Sequence, residues 1–321
     1  MNFQTKLPLS SLGLHQIDYG SKILLLGSCF SENIGEKFSY YKFQHLINPF
    51  GILFHPLAIE KFISVVINKK EYSKEDIFYL NDRYHCYDVH SRLSEANEEN
   101  LVENLNKIRA QTFSFIEQAS HVIITLGTAW AYRHKESKQY VANCHKVPQK
   151  QFSKQLLSVG EISESLKSIV NQITQINSKV KFIFTVSPVR HIKDGFEENM
   201  RSKAHVLLAI HNYLEYEHNK DKVGTGYFPS YEIMMDELRD YRFYKYDMLH
   251  PNDTAIDYIW ERFQKVYISD QTKLTMEEVA DIQKDLNHRP VNPISAAHQT
   301  FLQKLDEKQK KLTARFDHIQ F

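Results

Sequence analysis

The sequence predicts an α/β fold: a three-layer sandwich with a mostly parallel sheet and helices on both faces. Three observations predict it. Lys22-Ile23-Leu24-Leu25-Leu26, His121-Val122-Ile123-Ile124-Thr125-Leu126 and Lys181-Phe182-Ile183-Phe184-Thr185-Val186 are short, almost unbroken apolar runs. Strands buried on both faces read this way, whereas half-exposed strands alternate. Each run stops at a turn residue, Gly27, Gly127 or Ser187-Pro188, and segments of helical period lie between them, as in chains of βα units.

The elements follow in order. Ser31 to Phe38 predicts a short helix with Ser31 as its N-cap and Ile34 and Phe38 inward. Asn48 to Phe54 reads as a turn and a short extended piece. Pro56 opens a helix carrying Leu57, Phe62, Ile63, Val66 and Ile67, proline being harmless where the N–H has no intrahelical acceptor. Residues 69–96 are polar and rich in Tyr and His, an excursion from the sheet. Glu98–Gln118 and Glu161–Asn177 carry apolar residues at helical spacing. A long helix is expected over Glu197–His218 with Ala204, Leu207, Leu208 and His211 toward the sheet. Gly226-Tyr227-Phe228-Pro229 suits an edge strand, and Pro251–Tyr267 an amphipathic helix. From Asp270 the chain is highly charged without strand signal, so residues 1–268 are expected as the main domain and 269–321 as a helical extension. Its two helices are expected at Thr275–Leu286 and Ser295–Phe316, around the Pro290/Pro293 break.

Composition narrows the function. The 40 basic and 39 acidic residues leave a net charge of +1, so no basic field recommends nucleic acid or anionic lipid as partner. The first residues have no apolar core behind Lys6, and Ile23–Leu26 is too short for a leader or a membrane span. Cys29, Cys86 and Cys144 are too few and too scattered for a disulfide framework or a CxxC zinc site. The expectation is a cytoplasmic protein that binds no membrane; composition does not indicate its oligomeric state.

In open parallel sheets ligands bind at the carboxyl ends of the strands. At the first such end, Gly27-Ser28-Cys29-Phe30 sets a hydroxyl between a strand and a helix N-terminus, where free backbone N–H groups suit an oxyanion. Ser28 read by itself is better explained as a helix cap. Asp247-Met248-Leu249-His250-Pro251-Asn252 supplies what a nucleophilic serine needs: an imidazole base and a carboxylate three residues away to orient it. Alone, that pair is an ordinary turn contact. With Ser28 ending the first strand, it completes a Ser-His-Asp set.

Gly27-Ser28-Cys29-Phe30-Ser31-Glu32-Asn33-Ile34-Gly35 closely resembles the signature of the GSCFA family, with Ser31 where the family has Ala. Asn48–Leu53, Thr125–Trp130, Ala142–Lys146, Thr185–His191 and Tyr227–Glu232 resemble further segments of that family, over roughly residues 20–265. The family is similar to SGNH (GDSL-like) hydrolases. That resemblance implies a flavodoxin-like sandwich, Ser28 as nucleophile, Asp247 as orienting carboxylate, His250 as base, and no cofactor. SGNH enzymes usually carry Gly-x-Asn after a middle strand, its amide in the oxyanion hole; here Gly127-Thr128-Ala129 has Ala. The donors expected instead are the N–H groups of Ser28, Gly51 and Gly127, Gly51 standing for the family's second-block glycine, with a side-chain amide from Asn143 or Asn48. Asn48, Trp130, His145, Arg190 and His191 are the expected substrate contacts.

His85, Cys86, Asp88, His90, Cys144 and His145 include metal-ligand types, but the spacing matches no zinc site and His85 and His90 fall on opposite strand faces. A metal is not expected. Arg190-His191 can bind a substrate anion, or Arg190 can pair with Glu197 or Glu198. Cys29 is the rival nucleophile to Ser28. The expected function is serine-dependent hydrolysis of a small O-acyl or O-acetyl ester, on a carbohydrate or other small molecule. The competing readings are an O-acyltransferase with the same triad and a non-catalytic binding module that keeps the fold.

Overall fold

The computed structural model describes residues 5–9, 16–218 and 224–321. In chain order they form β1 (Lys22–Gly27), α1 (Cys29–Tyr40), β2 (Gln44–Ile47), α2 (Pro56–Ile67), β3 (Phe78–Leu80), β4 (Arg83–His85), α3 (Glu98–Gln118) and β5 (His121–Leu126). Then come β6 (Trp130–His134), β7 (Tyr140–Val141), β8 (Phe152–Leu156), α4 (Val159–Ile176), β9 (Lys181–Val186), α5 (Phe196–His218) and β10 (Thr225–Phe228). A short α6 (Ser230–Glu232), α7 (Asp253–Tyr267), α8 (Asp270–Leu286) and α9 (Ala296–Thr313) complete them.

The central sheet has five strands in the order β10-β9-β5-β1-β2, every pairing parallel. Both faces of the apolar runs are used. Leu24, Leu26, Val122, Ile124, Phe182 and Phe184 pack into one cluster with α2, α3, α4 and α5. Ile23, Leu25, Ile123 and Ile183 pack into another with α1, α7, α8 and α9. This two-sided burial is why the strands read as continuous apolar runs. After β2 the chain crosses from one side of β1 to the other to make β5, so the order in which strands are added reverses between β1 and β5. At such a switch point the carboxyl ends of two strands border an open crevice. Gly27 pairs with Thr125 and Thr125 with Thr185, which sets Ser28, Gly127 and Ser187 along that edge.

Several expectations change. Helix α1 begins at Cys29 and its N-cap is Ser28, not Ser31, whose hydroxyl donates to the Leu26 carbonyl. The inward face of α5 carries Ser202, Lys203, Val206, Ala209, Ile210 and Tyr213, with Leu207 packed beside it and the His211 ring against Tyr227 of β10, whereas Leu208 is 53% exposed and Ala204 faces outward. The expected stripe was offset because the true one includes a lysine and a serine. The excursion at 69–96 holds the hairpin β3-β4, and a second one, the antiparallel sheet β7-β6-β8, was not foreseen. The C-terminal helices are packed on the main body: Met276, Val279, Ile282, Leu305, Leu312 and Ile319 share one apolar cluster with Tyr19, Phe38 and Trp260. Among the described residues no helix is long and apolar enough to cross a membrane.

Candidate active site

Gly27 shapes the turn that carries Ser28. Its φ is +130°, and a Cβ there would lie 2.0 Å from the Thr125 carbonyl oxygen, so only glycine lets β1 approach β5 this closely. The turn is held on three sides. Gly27 N–H donates to Asn48 Oδ1 at 2.8 Å, Leu53 N–H donates to Gly27 O at 2.9 Å, and Ser28 N–H donates to Thr125 O at 3.0 Å. Ser28 itself is fully buried, and its Oγ accepts from Phe30 N–H at 3.3 Å. The cap role read from the sequence is therefore realised, at the position of the candidate nucleophile. Cys29 next to it has its thiol pushed up by burial and by Glu32, which disfavours the thiolate that a cysteine nucleophile needs.

The Asp247–His250 pair forms as its spacing implied. His250 Nδ1 lies 2.6 Å from Asp247 Oδ2, while Asp247 Oδ1 accepts the N–H groups of Leu249 and His250 at 2.8 and 3.0 Å. Met248 takes a positive φ of 58° to close this loop. Those backbone bonds first, and then the imidazole, hold the Asp247 carboxyl down at about 2. The loop is tied to the carboxyl edge by Arg190 N–H, which donates to Leu249 O at 3.2 Å. Among the described residues, no hydrogen bond joins Ser28 to His250.

The expected oxyanion donors are corrected by their partners. Ser28 N–H is held by Thr125 O, Gly127 N–H donates to Phe54 O at 2.9 Å, and Gly51 N–H donates to Asn48 O at 2.7 Å. None of these three amides is free in this structure. Gly51 meets His90 and Arg92, its absent Cβ falling 2.3 Å from His90 Cβ. Asn48 is buried and braces Gly27 with its side-chain carbonyl, a support rather than a substrate contact.

A cavity of about 540 Å³ opens beside this edge. Phe54, Trp130, Tyr132 and Phe152 give it aromatic walls; Asn143, Gln149, Lys146, Lys193 and His191 give it polar rims. Trp130 and Asn143 are thus cavity residues, although Asn143 Oδ1 is engaged by His145 N–H at 2.8 Å. Lys154 lies over the Trp130 ring at 4.7 Å and pairs with Asp194. His145 is not in the cavity: its Nε2 is 2.7 Å from Cys86 O, and its ring packs on Phe78 and His85. His85 is likewise engaged, Nδ1 with Ser94 and Nε2 with Leu80 O. Among the described residues no three His, Cys, Asp or Glu side chains are grouped to hold a metal ion. Arg190 turns away from this cavity and stacks on Tyr244 at 4.4 Å and Tyr241 at 5.2 Å; its expected partner Glu198 pairs with Arg201 instead.

His191 does reach the edge. The position a Gly127 Cβ would occupy is 3.3 Å from Ser28 Cβ and 3.4 Å from His191 Nε2, so serine and imidazole flank the same point. Asn199 Oδ1 accepts His191 N–H at 2.8 Å and fixes the backbone there. Beneath lies Lys203, buried, with Nζ donating to Gly127 O at 2.8 Å and Ser187 O at 2.6 Å. Burial lowers its pKa to about 7. Burial, then the neighbouring Lys203 and His250, lower that of His191 to about 3, so its imidazole is neutral. Ser202 Oγ accepts Ala129 N–H at 2.7 Å. Reading the sequence missed Asn199, Ser202 and Lys203 as site residues. Their signal was there: with Val206 they stand at i, i+3, i+4 and i+7, one helix face.

Fold and site define an α/β protein with a buried serine at the switch point of a parallel sheet and a His-Asp pair on a loop bonded to the segment that follows β9. The chain belongs to the GSCFA family, whose model matches residues 22–263; a second model, the GSCFA domain protein C-terminal domain, matches 279–321. The tail, outside the resemblance read from the sequence, thus belongs to the family's pattern too. No curated protein matches the chain. Among solved structures it is similar to a carbohydrate esterase family 3 protein from Talaromyces cellulolyticus, at 10% identity and a TM-score of 0.36 over 80% of this chain and 99% of that one. It is also similar to a serine-to-alanine mutant of an acetyl esterase with acetate ion, at 10% identity and 0.36 over 82% and 99%. An acetyl xylan esterase from Butyrivibrio proteoclasticus matches at 6% and 0.38 over 76% and 63%. At that remove the likeness assigns no activity.

Proposed function

We propose that the chain is a serine-dependent acyl ester hydrolase of the SGNH type, with Ser28 as nucleophile, His250 as general base and Asp247 as its orienting carboxylate. One relationship carries this reading: the Asp247–His250 pair is tied through the Leu249–Arg190 bond to the same carboxyl edge on which Ser28 caps α1. In the reaction His250 Nε2 takes the Ser28 proton as Oγ adds to the acyl carbon. Collapse of the tetrahedral adduct breaks the bond to the alcohol, which leaves with that proton. Water, deprotonated by the same imidazole, then adds to the acyl-serine; the acyl–Oγ bond breaks, Ser28 Oγ takes the proton back from His250 and the acid leaves. Asp247 stabilises the imidazolium in both halves. The absence of a Ser28–His250 hydrogen bond is compatible with this, since such bonds often tighten only around bound substrate.

The cavity supports a small alcohol portion. Aromatic walls with polar rims suit the apolar faces and hydroxyls of a sugar ring, and its volume suits one or two such rings. An O-acetylated sugar is the substrate we infer. A fluorophosphonate probe tests the reading: intact protein is expected to be labelled at Ser28 and Ser28→Ala to stay unlabelled. Equal labelling of the two proteins rules it out.

A further inference from the structure

With the N–H groups of Ser28, Gly51 and Gly127 all bonded to carbonyls, the negative charge formed on an acyl oxygen needs another donor. Two buried polar atoms near the Ser28 turn lack a partner, Asn48 Nδ2 and His191 Nε2. Asn48 is anchored on Gly27 from the β2 side and does not line the cavity. His191 lines the cavity and also flanks, with Ser28, the gap left by the missing side chain of Gly127. That gap is bordered by His191 Nε2 at 3.4 Å, Ser28 Cβ at 3.3 Å and the Phe54 carbonyl oxygen at 3.1 Å. The Phe54 carbonyl already accepts two N–H groups, those of Gly127 and Thr128. Through that point His191 Nε2 stands within about 7 Å of Ser28 Cβ, a span that an acyl oxygen on a carbon bound to Ser28 Oγ bridges with Nε2 at hydrogen-bond range.

We propose that His191 is a catalytic residue whose Nε2–H donates to the oxyanion formed when Ser28 adds to an acyl carbonyl. This takes the place of the side-chain amide that Gly127-Thr128-Ala129 lacks, and it rests on the serine-hydrolase reading. Burial first, and then the neighbouring Lys203 and His250, oppose a second proton on His191. The ring therefore stays a neutral donor, a form of imidazole that polarises carbonyls without competing for the serine proton. Lys203 also holds the Gly127 carbonyl, keeping the gap in place.

The test measures hydrolysis of p-nitrophenyl acetate by full-length wild type, His191→Ala, His191→Gln and Ser28→Ala, each first checked for folding by thermal melting. His191→Ala is expected to lower kcat about 100-fold or more, as loss of one oxyanion donor does, with KM changed less than about threefold. His191→Gln, which restores an N–H donor at similar reach, is expected to recover about tenfold of that loss; it also serves if the alanine variant does not fold. A His191→Ala kcat near wild type, or a glutamine variant no better than alanine, overturns the role of His191. Ser28→Ala separates the two ideas: its inactivity keeps the serine reading whatever His191 does, and its full activity overturns both.

Discussion

Lys203 Nζ and the Gly127 carbonyl oxygen are 2.8 Å apart, and through that bond α5 holds the strand end that faces Ser28. The ammonium is buried, with Ser187 O as its other acceptor and Cys29 as its titratable neighbour. In the unfolded chain it takes a proton up to its ordinary 10.5; in the folded protein it loses it near 7. Between those values the unfolded state binds more protons, so Lys203 makes stability rise with pH across that window. Lys203→Met removes this dependence. The stability of wild type relative to Lys203→Met is expected to grow by up to ~1.4 kcal/mol per pH unit from pH 7 to 9. Urea denaturation at pH 7, 8 and 9 checks this; a pH-independent difference means that Lys203 is not held in this state.

How much of this was legible in the sequence depends on what each residue type announces. Strands buried on both faces must be apolar throughout, so β1, β5 and β9 were readable almost to the residue. The Asp247–His250 contact was readable because a three-residue spacing fixes a carboxylate on an imidazole locally. Lys203 was not, because a lysine in a helix reads as solvated surface, and only packing reveals the two carbonyls it serves. The amides were misread for the same reason. That Ser28 and Gly127 spend their N–H groups on Thr125 and Phe54 depends on how distant segments meet, while Gly51 spends its own on Asn48 in a local turn. The sheet β7-β6-β8 escaped because strands with one exposed face carry few apolar residues.

Two glycines are expected to respond oppositely to alanine. Gly51 has φ +79° and a Cβ would fall 2.3 Å from that of His90. Gly51→Ala meets backbone strain and a collision together and is expected to cost about 2–4 kcal/mol. Gly160, in the first turn of α4, has nothing within 4 Å of its Cβ position. Gly160→Ala is expected to stabilise by about 0.5 kcal/mol through helix propensity. Denaturation midpoints of the two variants check this, and the idea fails if both shift the same way.

Leu312, 1% exposed on α9, belongs to the cluster that includes Trp260 and Phe38. If the tail is an integral part of the body, Leu312→Ala lowers global stability by about 2–4 kcal/mol, the usual cost of a leucine-sized cavity. One cooperative unfolding transition, shifted as a whole, is the expected trace. A separate early transition with the main one unmoved would mean that the tail unfolds independently.

Two buried histidines predict acid sensitivity. His55 accepts from Ala58 N–H through Nδ1 at 3.2 Å and faces Val141 O with Nε2 at 3.1 Å, an arrangement that suits the neutral ring. Burial lowers its pKa to about 4, and burial does the same at His145. Their ordinary value is 6.5, so as pH falls below that the unfolded chain takes protons that the folded one refuses, and stability is lost. Between pH 6.5 and 5 each is expected to remove up to about 2 kcal/mol. Denaturation at the two pH values, with His55→Gln as comparison, tests this; an equal acid loss in the variant excludes His55 as a source.

Asp247 is half exposed, so its worth lies in orientation rather than stability. Its carboxyl is held down at about 2 by the N–H groups of His250 and Leu249 and by the imidazole, so it is ionised throughout the range in which an esterase would work. Asp247→Asn keeps the size and one acceptor oxygen, and the loop can keep its backbone bonds. What changes is the partner of His250 Nδ1: an amide presents N–H where the carboxylate accepted one and favours the tautomer with Nε2 protonated, which cannot take the Ser28 proton. Turnover is expected to drop by about 10²–10⁴-fold, with little change in melting temperature. Steady-state kinetics from pH 5 to 9 on wild type and Asp247→Asn decides the point: unchanged turnover in the variant would show that His250 does not depend on Asp247 for its tautomer.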